Sequence, residues 1–143
     1  MYPEKENVML ELKEKLTTNF PKTVSAFANY ADGRIIFGVS DNGRIVGISN
    51  PEELRLQIEN KINDSISPIP VFELKDFITE GKTLIELSIF RGKNTPYVYH
   101  NNAYQRSDTS TVKVDPQEFR RLAIDGSGLS YDQLLSTENN FSF

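Results

Sequence analysis

The spacing of apolar residues changes twice within the first forty positions. Val8, Leu10 and Leu12 alternate with Met9, Glu11 and Lys13, the period of two that predicts a half-buried strand. After Thr17-Thr18-Asn19, Pro21 suits the first position of a helix on which Val24, Phe27, Ala28 and Ala31 share one face. Asp32-Gly33 stops that helix. Arg34 to Val39 follows as a short, almost continuously apolar strand, which fits the centre of a sheet. Ser40-Asp41-Asn42-Gly43 then predicts a hairpin turn, because Asn-Gly accepts positive φ, with Arg44 to Ile48 as the returning strand.

A second helix is announced by Asn50 as N-cap, Pro51 at the first position and Glu52 and Glu53 in the first turn. Leu54, Ile58 and Ile62 give it one packed face, and Ser67-Pro68 with Pro70 ends it. Val71 to Phe77 and Thr83 to Phe90 read as strands joined around Thr79-Glu80-Gly81-Lys82. Shorter strands at Pro96 to Tyr99 and Tyr104 to Arg106 flank His100-Asn101-Asn102-Ala103. Asp115-Pro116 opens a third helix with Phe119, Leu122 and Ala123 directed inward, and Gly126-Ser127-Gly128 reads as a linker. The tail carries a Ser-x-x-Gln capping pattern from Ser130 and two aromatics, Phe141 and Phe143, that invite packing on something further.

These elements predict an α/β fold, α+β in stricter usage. A mixed sheet carries the first two helices on one face, and a third helix closes the C-terminal end. Residues 1–125 form the domain; residues 126–143 are a linker and tail, expected to begin another domain.

Composition narrows the chemistry. A chain of 143 residues with 38% hydrophobic and 25% charged positions matches one soluble globular domain. No apolar run approaches the roughly 20 residues of a membrane span, and the first residues lack a signal-peptide pattern, so a cytoplasmic location is expected. There is no Cys and one His, His100 in a turn-like segment, so thiolate and multi-histidine metal sites are excluded. Any metal must sit on oxygen ligands, which selects Mg²⁺ or Mn²⁺. A net charge of -4 and a pI near 5.1 lack the basic footprint of a free-standing nucleic-acid binder, so such binding requires local cations.

Three carboxylates are candidates for such a metal. Glu6 and Glu11, five apart, point to opposite faces of one continuous strand, and converge only if Glu6 lies in a bend that Asn7 permits. With that bend, Glu6, Glu11 and Asp41 from the hairpin tip could hold a divalent ion, and Lys13 could steady a phosphate or leaving group. Solvated surface acids would show the same spacing. Arg91-Gly92-Lys93 followed by Tyr97 suits gripping a phosphate and stacking a base, or else is a solvated loop whose tyrosine packs inward. Arg106 beside Ser107, Thr109, Ser110 and Thr111 also suits phosphate, as would an ordinary strand end. Arg120-Arg121 reads as an exposed helical face.

One combination is more specific than its pieces. Glu6, Glu11-Leu12-Lys13, Ser25-Ala26-Phe27-Ala28-Asn29, Asp32-Gly33 and Gly38-Val39-Ser40-Asp41 resemble, in order, the signature of the Schlafen-type AlbA domain. The similarity continues through Asn42 to Ile48, Pro96-Tyr97, Tyr104-Gln105-Arg106-Ser107 and the last helix. It implies nucleic-acid binding, DNA or RNA, within a larger bacterial-type transcriptional regulator, with no cofactor for binding. In nuclease relatives the catalytic carboxylates correspond to Glu6, Glu11 and Asp41, so the alternative is a Mg²⁺- or Mn²⁺-dependent endoribonuclease. Ser40 stands where the family has the first Asp of a pair, Asp32 replaces a turn glycine, and Leu12 replaces the usual Phe. The animal nucleases join two lobes and bind zinc through Cys and His. This chain has one lobe and no Cys, so a two-lobed groove would need a homodimer. A third reading is an acidic domain that contacts only protein.

Overall fold

The computed structural model describes residues 1–128. In chain order its elements are β1 (Leu10–Lys13), α1 (Pro21–Tyr30), β2 (Gly33–Phe37), α2 (Pro51–Ser65), β3 (Ile66–Ser67), β4 (Phe72–Thr79), β5 (Lys82–Ile89), β6 (Val98–Tyr99), β7 (Asn102–Ser107), β8 (Ser110–Lys113) and α3 (Pro116–Ser127). The class is the mixed α+β arrangement expected, but the single sheet becomes two. One has the order β1-β2-β5-β4, with β1 parallel to β2 and the rest antiparallel; the other, β3-β6-β7-β8, is antiparallel throughout.

The reason for the division is α1. Every residue from Thr23 to Asn29 is buried, so this helix is not packed on one face but enclosed on all sides. It packs on β6, β7 and β8 and shares a core with Ile35, Phe37, Ile85, Leu87 and Ile89 of the first sheet and Tyr97, Tyr99 and Tyr104 beside it. α2 adds Leu54, Ile58 and Ile62 to the same core. The opposite face of the first sheet buries Leu10, Leu12, Ile36 and Leu84 under Tyr2, Val39 and Ile45. β2 is therefore covered on both faces, which is why its sequence is nearly all apolar.

Local chemistry sets the boundaries. Asn50 and Asp115 each accept the backbone N–H three residues on, from Glu53 at 3.3 Å and Glu118 at 2.8 Å, and each is followed by proline at the first helical position. Glu80 and Gly81, both at positive φ, close the β4–β5 hairpin.

Several expectations are corrected. Arg44 to Ile48 is not a strand: one bridge joins Val39 to Ile45, Gly38 and Gly47 turn the chain at positive φ, and Ile48 N–H reaches Thr83 O at 2.8 Å. The strands Ile66–Ser67 and Ser110–Lys113 add to those expected, being too short or too polar to show a period. Ala123 is exposed, while Leu122 is buried and Phe119 partly so. Gly126 and Ser127 belong to the last turn of α3, capped by Gly128 at φ 76°, instead of a linker. The segment from Ser130 to Phe143 lies outside the described residues.

The last turn of α3 docks so closely that a Cβ on Gly126 would stand 1.9 Å from the Thr95 carbonyl oxygen, beside the 2.6 Å hydrogen bond from Thr95 Oγ1 to Leu122 O. Gly126→Ala should therefore push α3 away from this loop and lower stability by about 1–3 kcal/mol. Hydrogen exchange should show faster exchange over residues 119–128 than in the parent; unchanged protection there would contradict the docking.

Candidate nucleic-acid interface

An enclosed helix cannot leave its polar side chains unpaired. Ser25 and Asn29, one turn apart on α1, satisfy themselves on the backbone of β7 and of the residue before β6. Ser25 Oγ donates to Tyr97 O at 2.6 Å and accepts from Tyr104 N at 3.2 Å; Asn29 accepts from Tyr97 N at 2.7 Å and donates to Tyr97 O at 3.1 Å. Tyr97 is thereby fixed as a core residue, 4% exposed, with its hydroxyl accepting from Asn94 N. It offers no face to a base, which corrects its assignment as a stacking residue.

The N-terminal segment is folded back by Asn7. Asn7 and Leu10 exchange backbone hydrogen bonds and Asn7 Oδ1 accepts from Met9 N at 2.8 Å, giving the bend on which convergence of Glu6 and Glu11 depended. Glu6 Oε2 then accepts from Leu12 N at 2.9 Å, and its carboxyl meets that of Glu11. Loss of solvent raises the Glu6 pKa above the ordinary carboxylate value, and the neighbouring Glu11 carboxylate raises it further, against the hydrogen bond from Leu12 and the charge of Arg106.

Arg106 is the second correction. Its side chain is 4% exposed. Its guanidinium donates to the carbonyls of Asn7 at 2.8 Å and Val8 at 3.3 Å, to Thr111 Oγ1 at 3.2 Å and to Glu11 Oε1 at 3.4 Å, and lies over the Phe27 ring at 5.6 Å. A fork with these acceptors satisfied is a clamp between the N-terminal segment and β7, leaving it no donor geometry for a phosphate. Ser107, next along, is exposed in the β7–β8 hairpin.

Glu11 is similarly committed. Its Oε1 receives Arg106, and its Oε2 accepts from Thr23 Oγ1 at 3.1 Å and lies 3.9 Å from Lys13 Nζ. Asp41 is exposed and lines a separate hollow of about 270 Å³ with Leu12, Lys13 and Lys15. Lys13 is the residue that borders both Glu11 and this hollow. Among the described residues no three of His, Cys, Asp and Glu stand where they could share an ion. The structure thus unites Glu6 with Glu11 but does not add Asp41. An acidic pair whose inner member already faces two cations and a hydroxyl does not fit a divalent metal. Ser40, where the family has Asp, holds the turn instead: its hydroxyl bonds Asn42 Oδ1 and accepts from Arg44 N.

Arg91 and Lys93 are placed differently. Both are exposed on the rim of a cleft of about 650 Å³ between the 91–95 loop and the end of α3, and neither side chain has a charged or hydrogen-bonding partner among the described residues. The loop itself is held rigid: Arg91 N donates to Asp32 Oδ1 at 2.8 Å and Gly92 N to Ala28 O at 2.8 Å. A Cβ on Gly92 would stand 1.9 Å from the Tyr97 hydroxyl, so only glycine passes here. Across the cleft Arg121 bonds Glu118 at 2.6 Å and Asp125 at 2.7 Å. Glu118 also receives the Tyr30 hydroxyl, and Arg121 and this hydroxyl together pull its pKa down to about 2. The sequence presents Arg121 only as part of an exposed face and gives no sign of Tyr30 and Glu118, whose pairing across 88 positions leaves no local signal.

The mixed α+β fold, with a helix enclosed between two sheets, is the class of structure that comparison identifies. The chain belongs to the Schlafen, AlbA_2 family, which it matches over residues 6–115. It is 34% identical over 88 residues to an uncharacterized ATP-binding protein of Ureaplasma parvum, an alignment covering 56% of this chain and 25% of that protein. Its fold is similar to the N-terminal domain of a putative ATP-dependent DNA helicase RecG-related protein of Nitrosomonas europaea, with TM-score 0.59, 21% identity and coverage of 75% and 83% of the two chains. It is also similar to the DIP2311 protein of Corynebacterium diphtheriae, with TM-score 0.58, 19% identity and coverage of 82% and 24%. The chain spans about a quarter of the curated relative it matches.

The clamp and the acidic pair can each be tested by substitution. Arg106→Met should destabilise the fold by about 3–5 kcal/mol, because Glu11 is left without its buried partner. Arg106→Lys should restore only part of this, since an ammonium cannot reproduce the fork; denaturant melts measure both. For Glu6, a raised folded pKa means that stability is fullest when the group is protonated and falls as pH rises through that value. Glu6→Gln should therefore raise the melting temperature at pH 7 more than at pH 4, and an equal effect at both would show that burial and the Glu11 carboxylate do not raise the Glu6 pKa.

Proposed function

We propose that this chain is a nucleic-acid-binding domain that grips backbone phosphate with Arg91 and Lys93 at the cleft beside α3. The observation that carries the proposal is that these two exposed cations are unpaired among the described residues, on a loop whose backbone is fixed from below, within a chain of net charge -4. Arg106 and Lys13, which face Glu11, are spent on that internal acid; Arg91 and Lys93 are free among the described residues to meet an external anion. Asn94, exposed at the cleft, carries an amide that can accept from or donate to a sugar or base. Family membership supports the reading, as do the names of relatives, one related to a DNA helicase and one ATP-binding, which share phosphate as ligand chemistry.

A setting within a transcriptional regulator, and a choice of DNA over RNA, extend the same proposal. Cleavage by Glu6, Glu11, Asp41 and Lys13 has less support, because Arg106 and Lys13 already neutralise Glu11 and Asp41 faces a different hollow.

Binding of a labelled 20-mer, single- or double-stranded, followed by fluorescence anisotropy, tests the proposal. The double variant Arg91→Glu/Lys93→Glu should bind at least tenfold more weakly at low salt. The slope of log affinity against log salt should become shallower by about 1 to 2, as two phosphate contacts are lost. Excess ATP should compete only weakly if the polymer is the ligand. An unaltered slope in the double variant would place the contact surface elsewhere on the domain.

A further inference from the structure

Among the described residues β4 is the free edge of the first sheet, eight residues long and unpaired on its outer side. Such an edge invites another strand unless charge or curvature protects it. Four of the large apolar residues left exposed lie along or beside this edge: Val71 at 67%, Ile78 at 74%, Ile69 at 57% and, on the neighbouring flank of α2, Leu56 at 57%. Leu56 lines a groove of about 580 Å³ with Phe72 and Leu74.

The backbone fixes which groups point outward. Val71 O accepts from Phe90 N at 3.0 Å, and β4 pairs with β5 in the register Phe72 to Ile89. Odd-numbered residues of β4 therefore direct their N–H and C=O to β5, leaving those of Phe72, Leu74, Asp76 and Ile78 for an incoming strand.

Side-chain charge then selects among the registers that a second copy, related by a two-fold axis normal to the sheet, could adopt. Centring on Lys75 sets Lys75 against itself, and centring on Asp76 sets Asp76 against itself; like charges directly opposite are unfavourable. Centring on Leu74 has no such conflict. It sets Glu73 opposite Lys75 of the other copy, twice by symmetry, on one face. On the same face Val71 meets Phe77, and on the other Leu74 meets Leu74 and Ile78 meets Pro70. Phe72 then lies opposite Asp76, whose charge is already answered by Arg55 at 3.5 Å. Of these three registers this one is complementary in hydrogen bonding, charge and apolar cover together, and it turns an edge carrying Glu, Lys and Asp from a deterrent into a specific match.

We propose that two copies of this chain associate through antiparallel β4–β4 pairing centred on Leu74, joining their first sheets into one continuous sheet. The pairing covers Val71 and Ile78 and brings the two Leu56 flanks to one face. It does not depend on the nucleic-acid reading.

Sedimentation velocity across a concentration series tests it with the charge pair. The parent chain should dimerise. Glu73→Lys and Lys75→Glu, each a surface change that leaves the circular dichroism spectrum unaltered, should each shift the chain to monomer by opposing like charges. An equimolar mixture of the two variants should form a heterodimer, because every pair across the axis then joins a lysine of one variant to a glutamate of the other. The double variant Glu73→Lys/Lys75→Glu should dimerise with itself. A parent chain that stays monomeric at high concentration would leave the edge to a strand of another protein and overturn the proposal. So would a dimer that neither single variant weakens, or a mixture that stays monomeric.

Discussion

The whole arrangement depends on α1 being enclosed. A helix with protein on every side must find partners for each polar side chain it carries, and Ser25 and Asn29 find them on the backbone of Tyr97 and Tyr104. Those bonds hold the second sheet against α1. They also fix the end of the segment that leads on from β5, so that Gly92 lies on Ala28 and the 91–95 loop stands at the surface. The small residues Ala26 and Ala28 allow the close approach, and Phe27 packs so tightly over Gly33 that a Cβ there would stand 2.3 Å from its ring. The Ser-Ala-Phe-Ala-Asn run at residues 25–29 is thus a device of the core. It positions the surface without being part of it.

Electrostatics separates the acidic candidates from the basic ones. Arg106 and Lys13 are drawn inward to Glu11, and the resulting cluster of Glu6, Glu11, Thr23, Thr111 and Arg106 ties the N-terminal segment to β7 and β8. A buried fork of this kind is valuable chiefly because breaking it leaves a charge unpaired. Arg91 and Lys93 have no such internal obligation, and the pair Tyr30–Glu118, extended by Arg121, keeps the opposite wall of their cleft in place.

Much of this is legible in the sequence where a signal is local. The cap-plus-proline starts of α2 and α3, the apolar run of β2, the β4–β5 hairpin and the bend at Asn7 all depend on residues within a few positions of one another. The division into two sheets, the burial of Tyr97 and Arg106 and the role of Glu118 depend on contacts between residues 68 to 99 positions apart, which no spacing encodes. Arg106 illustrates the limit. A guanidinium beside serines and threonines reads the same whether its acceptors are phosphates outside or carbonyls inside, and only the folded N-terminal segment decides between them.

The central claim is that the binding surface is the loop bearing Arg91 and Lys93, not the acidic cluster. Its most direct measurement is an amide chemical-shift titration of the ¹⁵N-labelled chain with a short oligonucleotide at low salt. The account predicts shifts concentrated in residues 91–95 and the last turn of α3, with Glu6 to Lys13 and Asp41 unperturbed. Shifts concentrated at Glu6 to Lys13 and Asp41, with the 91–95 loop silent, would contradict it.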